Sequence, residues 1–456
     1  MPKSFHFAGC IGLIAALLML CALPSILGAA ENESPKYIGP GSCAATSCHG
    51  SVKPVADSRI LQNEYSTWII KDKHSQAYQA LTGDIGERMA QILKLGSKAE
   101  EAPKCLACHA LLYTTPAQRG RAFELADGVS CENCHGPSSA WLGPHAERQW
   151  THEKSIALGM VDIRNVIHRT EKCLECHLGT QNKFVDHEMI AAGHPDLYFE
   201  LDSFSAVEPR HWKTPRESAS GKPVEDGAWN GVRDWSTGQA VQLRASLERL
   251  SWRAKGDRYD KKDAWPEYAE LSCFACHHAL VPAKDSWRQA HEYPGRRPGD
   301  PQWNESRYVV FRLLAKQVDP AAAQELEQDL VKLAGTMSTL NSDRSAVASE
   351  ASVAAPIAQR LAERLATMPY DQELALRMLQ QITSDAENIS LADERAAEQA
   401  TMAIDSLYIA YSKEAKPKNP EQVRGAINGL FQQLENPSTY NADQFAAALR
   451  RLRGML

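Results

Sequence analysis

The sequence predicts a mainly α-helical protein, with an irregular first part containing short helices and a second part folded as an α-helical bundle. Residue types that commonly hold cofactors are confined to the first part, because the last of the 15 histidines is His291 and the last of the 10 tryptophans is Trp303. All 12 cysteines precede His291 as well. From residue 305 onward, apolar residues recur at helical spacing instead. We therefore expect a boundary near residue 304.

Length and composition narrow the class of protein. A chain of 456 residues is long enough for two or three domains of ordinary size. Its 50 Lys and Arg against 56 Asp and Glu give a net charge of −6, and 43% of its residues are apolar. These values are ordinary for a globular protein, so they argue against a disordered chain, a multispan membrane protein and a nucleic-acid-binding protein.

Residues 1–30 have the pattern of an export signal. Lys3 supplies a positive charge, residues 11–27 form an apolar run, and the small residues Gly28, Ala29 and Ala30 suit a cleavage site. The apolar run is long for a signal peptide, so an uncleaved membrane anchor stays open as an alternative. In both cases we expect the bulk of the chain to be periplasmic or otherwise exported.

The ten cysteines outside this segment form five close pairs, and a histidine directly follows each pair. In chain order, motif 1 is residues 43–49, motif 2 is 105–109, motif 3 is 131–135, motif 4 is 173–177 and motif 5 is 273–277. The cysteines are Cys43, Cys48, Cys105, Cys108, Cys131, Cys134, Cys173, Cys176, Cys273 and Cys276, and the histidines are His49, His109, His135, His177 and His277. Motifs 2 to 5 read C-x-x-C-H, whereas motif 1 has four residues between its cysteines.

This order of residues is the attachment signature of c-type haem. Two thiols form thioether bonds to one porphyrin, and the adjacent imidazole then binds the iron as its proximal axial ligand. The sequence therefore predicts five covalently attached haem c groups in a multihaem cytochrome c domain over residues 31–303, with short helices around stacked haems. Porphyrins replace much of the side-chain core there. We interpret residues 204–262, which are rich in charge, Gly and Trp, as surface loops over haem edges.

Three other uses of paired cysteines fit less well. Disulfide formation does not require a histidine after every second cysteine. Zinc ribbons combine two pairs into one site, which would leave an odd pair here and give the histidines no common role. Thioredoxin-like motifs need a βαβ context that the flanking sequence lacks.

Residues 304–456 carry helical signals and no residues that indicate a cofactor site. Two apolar stripes are Val423, Ile427, Leu430 and Leu434, and Phe445, Leu449, Leu452 and Leu456. Asp319 and Asn419 each precede a proline, as capping residues do, and Ser390 with Asp393 resembles a capping box. We expect six or seven helices in a bundle whose role is unknown, with docking or packing over the haem domain as the default.

Residues 40–303 resemble a multihaem cytochrome c family that includes the tetrahaem electron carrier partnering hydroxylamine oxidoreductase. The resemblance rests on residues 42–50, Trp68 with His74, residues 128–137 and residues 173–195. It implies an exported electron-transfer protein with closely stacked haems. Motif 5 and the helical second part depart from the tetrahaem pattern, so the redox partner is not implied.

Nine further histidines outside the export signal compete for the second axial position on five irons. His74 and His145 resemble distal positions of the family. His187 and His194 are seven residues apart, so they lie on one side of a helix if that segment is helical. His278 cannot bind the same iron as His277 but can reach a neighbouring one. We favour these five as distal ligands, with His168 a weaker candidate.

Two classes of function remain open at this stage. Imidazole on both faces of every iron indicates an electron carrier, passing electrons to periplasmic redox partner proteins in a respiratory or nitrogen/sulfur redox chain. One iron with an open face indicates instead an oxidoreductase for a small nitrogen or sulfur species. The surplus of histidines and the lack of a C-x-x-C-K motif favour the carrier.

Overall fold

In the computed structural model, the described residues are Met1, 34–55, 58, 60–112, 115–212, 229–257, 265–273, 276–277, 300–339, 341–417 and 419–456. Two compact units divide the chain, Met1–Pro35 and Lys36–Leu456. The predicted export signal, His278 and His291 lie outside the described residues. No helix in the described part is long and apolar enough to cross a membrane.

The first half of the second unit consists of short helices joined by irregular segments, as the sequence predicts. They are α1 (Glu64–Lys71), α2 (Asp84–Ile92), α3 (Pro103–His109), α4 (Cys131–His135), α5 (His152–Ala157), α6 (Val166–His177), α7 (His187–Ala191) and α8 (Leu201–Val207). Strand-like pairing in the described residues is limited to isolated bridges, such as the one between Tyr37 and Arg119. The mainly α-helical class is therefore confirmed.

This region has little side-chain core of its own. Its separate buried cluster consists of Leu81, Ala90, Ala99, Leu106 and Ala110. Three of these five side chains are single methyl groups, so they bury little apolar surface for a segment of this length. Such a region needs other apolar material in its interior, and this agrees with the prediction that porphyrins take that place.

The interpretation of residues 204–262 as surface loops is wrong for their central segment. Helix α9 (Asn230–Lys255) has 26 residues, and Trp235 and Leu247 within it are fully buried. Even Arg249 is only 6% exposed. Most of the helix is buried, polar side chains included, so its sequence lacks the separation of polar from apolar residues by which a surface helix is recognised.

The second half consists of longer helices packed in a bundle. They are α10 (Ser306–Val309), α11 (Phe311–Val318), α12 (Pro320–Met337), α13 (Arg344–Thr367), α14 (Gln372–Ser384), α15 (Ala386–Ala392), α16 (Glu394–Ala415), α17 (Pro420–Gln433) and α18 (Ala442–Arg453). The described residues thus hold nine segments where six or seven are expected. Val310, Asp385 and Asp393 each interrupt the helical path for one residue.

The helix start signals are borne out in part. Asp319 accepts a hydrogen bond from the backbone of Ala322 at 3.1 Å and caps α12 as predicted. Helix α17 begins at Pro420, but Asn419 makes no side-chain cap. The Ser390 capping box is wrong, because Ser390 lies inside α15 and Asp393 caps α16 instead.

Helix α9 and the C-terminal helices share one hydrophobic core. The largest buried cluster runs from Val166 to Leu452 and includes both predicted apolar stripes, with Leu456 at its edge. Within it, α9 packs along α13. Residues on both sides of residue 304 therefore share one core, although the cysteine and histidine motifs lie only before it. That the two parts fold separately stays a prediction.

Candidate haem-binding sites

Four of the five motifs form a single helical turn. Motifs 2, 3 and 4 end α3, α4 and α6, whose last residues are His109, His135 and His177. In motif 5, the backbone N–H of His277 donates to the carbonyl of Cys273 at 2.7 Å. Cysteines three residues apart on a helix share one face, so each motif presents two thiols and an imidazole together.

Motif 1 reaches the same arrangement by another route. The backbone N–H of His49 donates to the carbonyl of Cys43 at 3.2 Å, and that of Cys48 donates to Ala45 at 2.8 Å. The two extra residues therefore form a local turn, and the histidine returns to the first cysteine. This geometry supports the inclusion of motif 1 among the attachment sites.

Four motif histidines each face a second histidine at nearly the same distance. Ring centroids are 6.2 Å apart for His49 and His145, and 6.3 Å apart for His177 and His74, for His109 and His194, and for His277 and His187. A histidine nitrogen binds a metal at about 2 Å, so two imidazoles on opposite sides of one metal ion have centroids roughly 6 Å apart. The residues present therefore fit a haem iron held between each pair.

Hydrogen bonds at Nδ1 orient five of these eight rings. The acceptors are Glu64 Oε2 for His49, Asp72 Oδ1 for His74, and the carbonyl oxygens of Ala77, Leu142 and Pro195 for His109, His145 and His194. Each bond holds Nδ1 and leaves Nε2 for a metal. Partners of this kind fix the ring orientation of metal-bound histidines.

The remaining described histidines differ in whether Nε2 is available. His152 uses its Nε2 in a 3.0 Å contact with Asp162, so it is a poor candidate for a ligand. His168 is exposed on α6. His211 resembles the paired histidines, because its Nδ1 donates to the carbonyl of Pro209 at 3.1 Å.

His135 has no comparable ring opposite it among the described residues, and His211 is its best match. Burial, followed by the charge of His211, lowers the pKa of His135 to about 4. Burial, followed by the charge of the facing His74, lowers the pKa of His177 to about 4 in the same way. Both motif histidines are thus neutral near pH 7, which is the form that binds metal.

The structure places four of the five favoured distal histidines opposite a motif histidine, while the ligation itself stays a prediction. His278, the fifth, lies outside the described residues. Sequence reasoning gave no role to His211. The signal it missed is small: His211 follows Pro209 in an irregular segment after α8, where no periodicity indicates which way a side chain points.

Contacts between motifs give their spatial order. Cys131 and Cys43 lie close enough to shift each other's pKa, and so do Cys108 and Cys176. These contacts join motif 3 to motif 1 and motif 2 to motif 4. Cys134 of motif 3 also lies close enough to Cys173 and Cys176 of motif 4 for their charges to raise its pKa.

A fourth link joins motif 2 to motif 5. His187, the first residue of α7, faces the histidine of motif 5. His194, just after the end of α7, faces the histidine of motif 2. Arg395 contacts the sulfur of Cys273 at 3.1 Å and pairs with Asp196 at 2.5 Å, two residues after His194. These links connect the motifs in the order 1, 3, 4, 2 and 5, and the Asn133 amide of motif 3 also donates to the carbonyl of Ala110, directly after motif 2, at 3.3 Å.

Residues 43–136 match the model of the cytochrome c554 and c-prime family. The match covers about a fifth of the chain and includes motifs 1, 2 and 3. It supports a multihaem c-type cytochrome with covalently bound haem c and a role in electron transfer. No curated protein and no solved structure matches this chain.

Within the segment that matches cytochrome c554 and c-prime, the residues around motif 3 hold the neighbouring parts together. The Trp68 indole donates to the carbonyl of Val129 at 3.0 Å, and the N–H of Val129 donates to the carbonyl of His74 at 3.0 Å. Gly128 has φ of +69°, and a Cβ there would lie 2.9 Å from the His74 oxygen. A side chain at this position would therefore displace His74.

Glu132 ties motif 3 to the segment before motif 1. Its buried carboxylate accepts hydrogen bonds from the backbone of Ile38 at 3.0 Å, Gly39 at 2.9 Å and Ser138 at 2.8 Å. The Ser138 hydroxyl donates to it as well, at 2.6 Å. These four bonds satisfy a carboxylate that would be costly to bury alone, and they fix motif 3 against motif 1.

Proposed function

We propose that this chain is an exported multihaem c-type cytochrome that transfers electrons through five covalently bound haems, within a respiratory or nitrogen/sulfur redox chain. One observation carries the proposal: four motif histidines each face a second histidine at 6.2 or 6.3 Å. Two imidazoles on one iron leave no position for a substrate, as an electron carrier requires.

When bound, each haem supplies an iron that gains and loses one electron. The paired histidines would hold such an iron in both of its oxidation states, so little would reorganise on electron transfer. Asp72 and Glu64 stabilise positive charge on their histidines through Nδ1. A more basic ligand favours the ferric iron, so these two carboxylates adjust the potentials of motifs 4 and 1 downward.

The order of the motifs supports a single path for electrons. The links between motifs run in the sequence 1, 3, 4, 2 and 5, with one further bond from motif 3 to the residue after motif 2. A single path has two ends, at motif 1 and motif 5. We assign one end to the electron donor and the other to the acceptor.

His211 would complete this arrangement by holding an iron opposite His135. Its charge acts on His135 as that of His74 acts on His177, and its Nδ1 is held by a backbone carbonyl. With this assignment all five irons have two histidines. His278 is then not needed as a ligand.

The alternative function is a multihaem oxidoreductase acting on a small nitrogen or sulfur species at one open-faced haem. The observation in its favour is that His135 lacks a paired ring among the described residues. In this case His211 would stand near the open face without binding the iron.

Electron paramagnetic resonance and carbon monoxide binding distinguish the two functions. For the carrier we expect low-spin signals from every iron in the oxidised protein and no carbon monoxide binding after reduction. His211→Ala should open one site and bind one equivalent, while the control His152→Ala should bind none. Stoichiometric binding by the unmodified protein would instead establish an open haem and favour the oxidoreductase.

We also propose that the protein works in the periplasm with soluble or membrane-bound redox partner proteins. The export signal at residues 1–30 supports this location, and an uncleaved membrane anchor remains the alternative. Intact-mass analysis of the exported protein tests it. A mass lacking residues 1–30 indicates cleavage, and a mass including them indicates the anchor.

A further inference from the structure

The two residues that precede α7 are held by different parts of the protein. The carbonyl of Val185 accepts a hydrogen bond from Nη2 of Arg253, on α9, at 2.9 Å. The carboxylate of Asp186 accepts one from Nζ of Lys104, on α3, at 3.2 Å. Val185, Asp186 and Arg253 are buried, so little water competes for these bonds. The chain therefore enters α7 along a path that α9 and the helix of motif 2 define.

The first residue of α7, His187, is held by Glu267. The backbone N–H of His187 donates to Oε1 of Glu267 at 3.0 Å, and the same oxygen accepts from the backbone of Ala269 at 3.1 Å. Glu267 is only 5% exposed. The N–H groups of a first helical turn have no acceptor within their own helix, so Glu267 supplies one that α7 does not contain.

The ring of His187 is oriented differently from those of the other histidines that face a motif. Nδ1 has an acceptor in His74, His145 and His194. No hydrogen bond reaches the His187 ring within the described part of the chain, where the Tyr268 ring packs edge-on against it with centroids 5.6 Å apart. The direction of the His187 imidazole therefore depends on its backbone and on the residue next to Glu267.

Glu267 belongs to the short segment that leads into motif 5, and this segment is itself anchored. The Trp265 indole donates to the carbonyl of Ser342, just before α13, at 3.0 Å. Glu270 accepts a hydrogen bond from Arg253 at 2.7 Å. Arg253 thus contacts both this segment and the approach to α7. Motif 5 and the histidine that faces it share one support.

We propose that Glu267 is a positioning residue that holds His187 opposite His277 at motif 5. This inference rests on the proposed function, since it requires an iron between these two histidines. Without the carboxylate, the N–H of His187 loses its acceptor, and the start of α7 shifts to find another. The contact of Trp265 with Ser342 also gives the helical second part a role, because it supports the segment that carries Glu267.

Carbon monoxide binding and electron paramagnetic resonance of the full holoprotein test this role. In Glu267→Ala we expect every haem to stay attached, because no cysteine changes. One iron should become high-spin when oxidised and bind one equivalent of carbon monoxide when reduced. The variant Glu267→Gln keeps a side-chain oxygen that accepts from His187, so it should stay low-spin and bind none. A Glu267→Ala protein that binds no more carbon monoxide than the unmodified protein would overturn the inference.

A double variant tests whether the iron that opens is the one that His187 faces. Glu267→Ala combined with His187→Ala should bind one equivalent, as His187→Ala does alone, because both changes open the same iron. Two equivalents would mean that Glu267 supports a different iron, which contradicts the inference. The control is Asp371→Ala, which removes the carboxylate that caps α14 by accepting from Leu374 at 2.8 Å. It should bind none.

Further variants keep the test decisive. If Glu267→Ala does not fold, Glu267→Asp decides, because it keeps the charge but withdraws the acceptor by one methylene group. It should bind carbon monoxide at one iron, and no binding would overturn the inference. His187→Ala separates this inference from the proposed function. If that variant opens no iron, both fail at motif 5; if it opens one iron while the Glu267 variants open none, only the role of Glu267 fails.

Discussion

The Oε2 atom of Glu64 accepts a hydrogen bond from Nδ1 of His49 at 3.0 Å. This bond, more than any other contact, raises the pKa of His49. Glu64 is itself oriented by the backbone N–H of Leu61, which donates to its other oxygen at 2.8 Å. Leu61 therefore fixes the carboxylate of Glu64 beside the imidazole of His49, the histidine of motif 1.

Removing the charge of Glu64 should raise the potential of one haem. In Glu64→Gln a neutral amide replaces the carboxylate, so positive charge on the His49 ring is stabilised less. The imidazole is then a less basic ligand, and the ferrous iron is favoured. We expect one upward-shifted midpoint in a potentiometric titration, with four unchanged. The control Glu373→Gln, at an exposed position on α14, should change none. A Glu64→Gln titration identical to that of the unmodified protein would show that motif 1 holds no iron.

Five haems should be attached, including one at motif 1 despite its wider spacing. The turn that brings His49 back to Cys43 makes this motif equivalent to the others. Intact-mass analysis after expression with a cytochrome c maturation system should show five haem additions, and Cys43→Ala with Cys48→Ala should show four. Four additions in the unmodified protein, unchanged in that variant, would exclude motif 1.

Glu200 should make a contribution to the stability of the fold that falls as the pH rises toward neutrality. Its buried carboxylate accepts hydrogen bonds from the backbone of Asp202 and Ser203, and burial raises its pKa from 4.5 to about 7. Between these two values the folded protein binds a proton that the unfolded chain has released. The free energy of unfolding therefore decreases with pH across this window, by at most about 3 kcal/mol.

The variant Glu200→Gln keeps an acceptor for α8 and has no proton to lose. Urea unfolding followed by circular dichroism at pH 4.5, 6 and 8 should give a flatter dependence in the variant than in the unmodified protein. Parallel pH dependences would mean that Glu200 is ionised in the folded state. Asp443→Asn, on α18, serves as a control because Asp443 lies in the exposed first turn of that helix.

Truncation tests whether the two parts fold independently. A chain ending at residue 303 lacks α13, against which α9 packs, and lacks Arg395, which contacts motif 5. We expect this chain to keep the haems of motifs 1 to 4 and to lose the fifth, as measured by mass. A soluble truncated protein with five haems would instead establish separate domains at the predicted boundary.

Local chemistry was the part of this protein that its sequence predicted well. A C-x-x-C-H motif needs only neighbouring residues to bring its thiols and imidazole together, so the motifs could be read directly. The apolar stripe that includes Ile427 and Leu430 was equally easy to recognise, because a surface helix must separate apolar from polar residues. Long-range features were less accessible. Helix α9 buries polar as well as apolar side chains, so its pattern does not indicate a helix. The position of His211 depends on how an irregular segment returns toward α4.

The histidine pairs were predicted in part, so they lie between the motifs and the long-range features. His74, His145, His187 and His194 were identified as ligands by type and by resemblance, but nothing in the sequence said which motif each one faces. That assignment depends on contacts such as Trp68 with Val129, which join segments far apart in the chain. Tertiary packing decides it.

The short helix α7 holds His187 at its first residue, and His194 follows its end by three residues. These two histidines face motifs 5 and 2, so one short segment spans both positions. The separation between those two irons is then set by a few backbone torsions and is insensitive to breathing of the larger fold. Electron tunnelling rates fall steeply with distance, so this step should stay constant while thermal motion varies the others. A short connection of this kind would protect one end of the proposed chain of haems from fluctuations elsewhere in the protein.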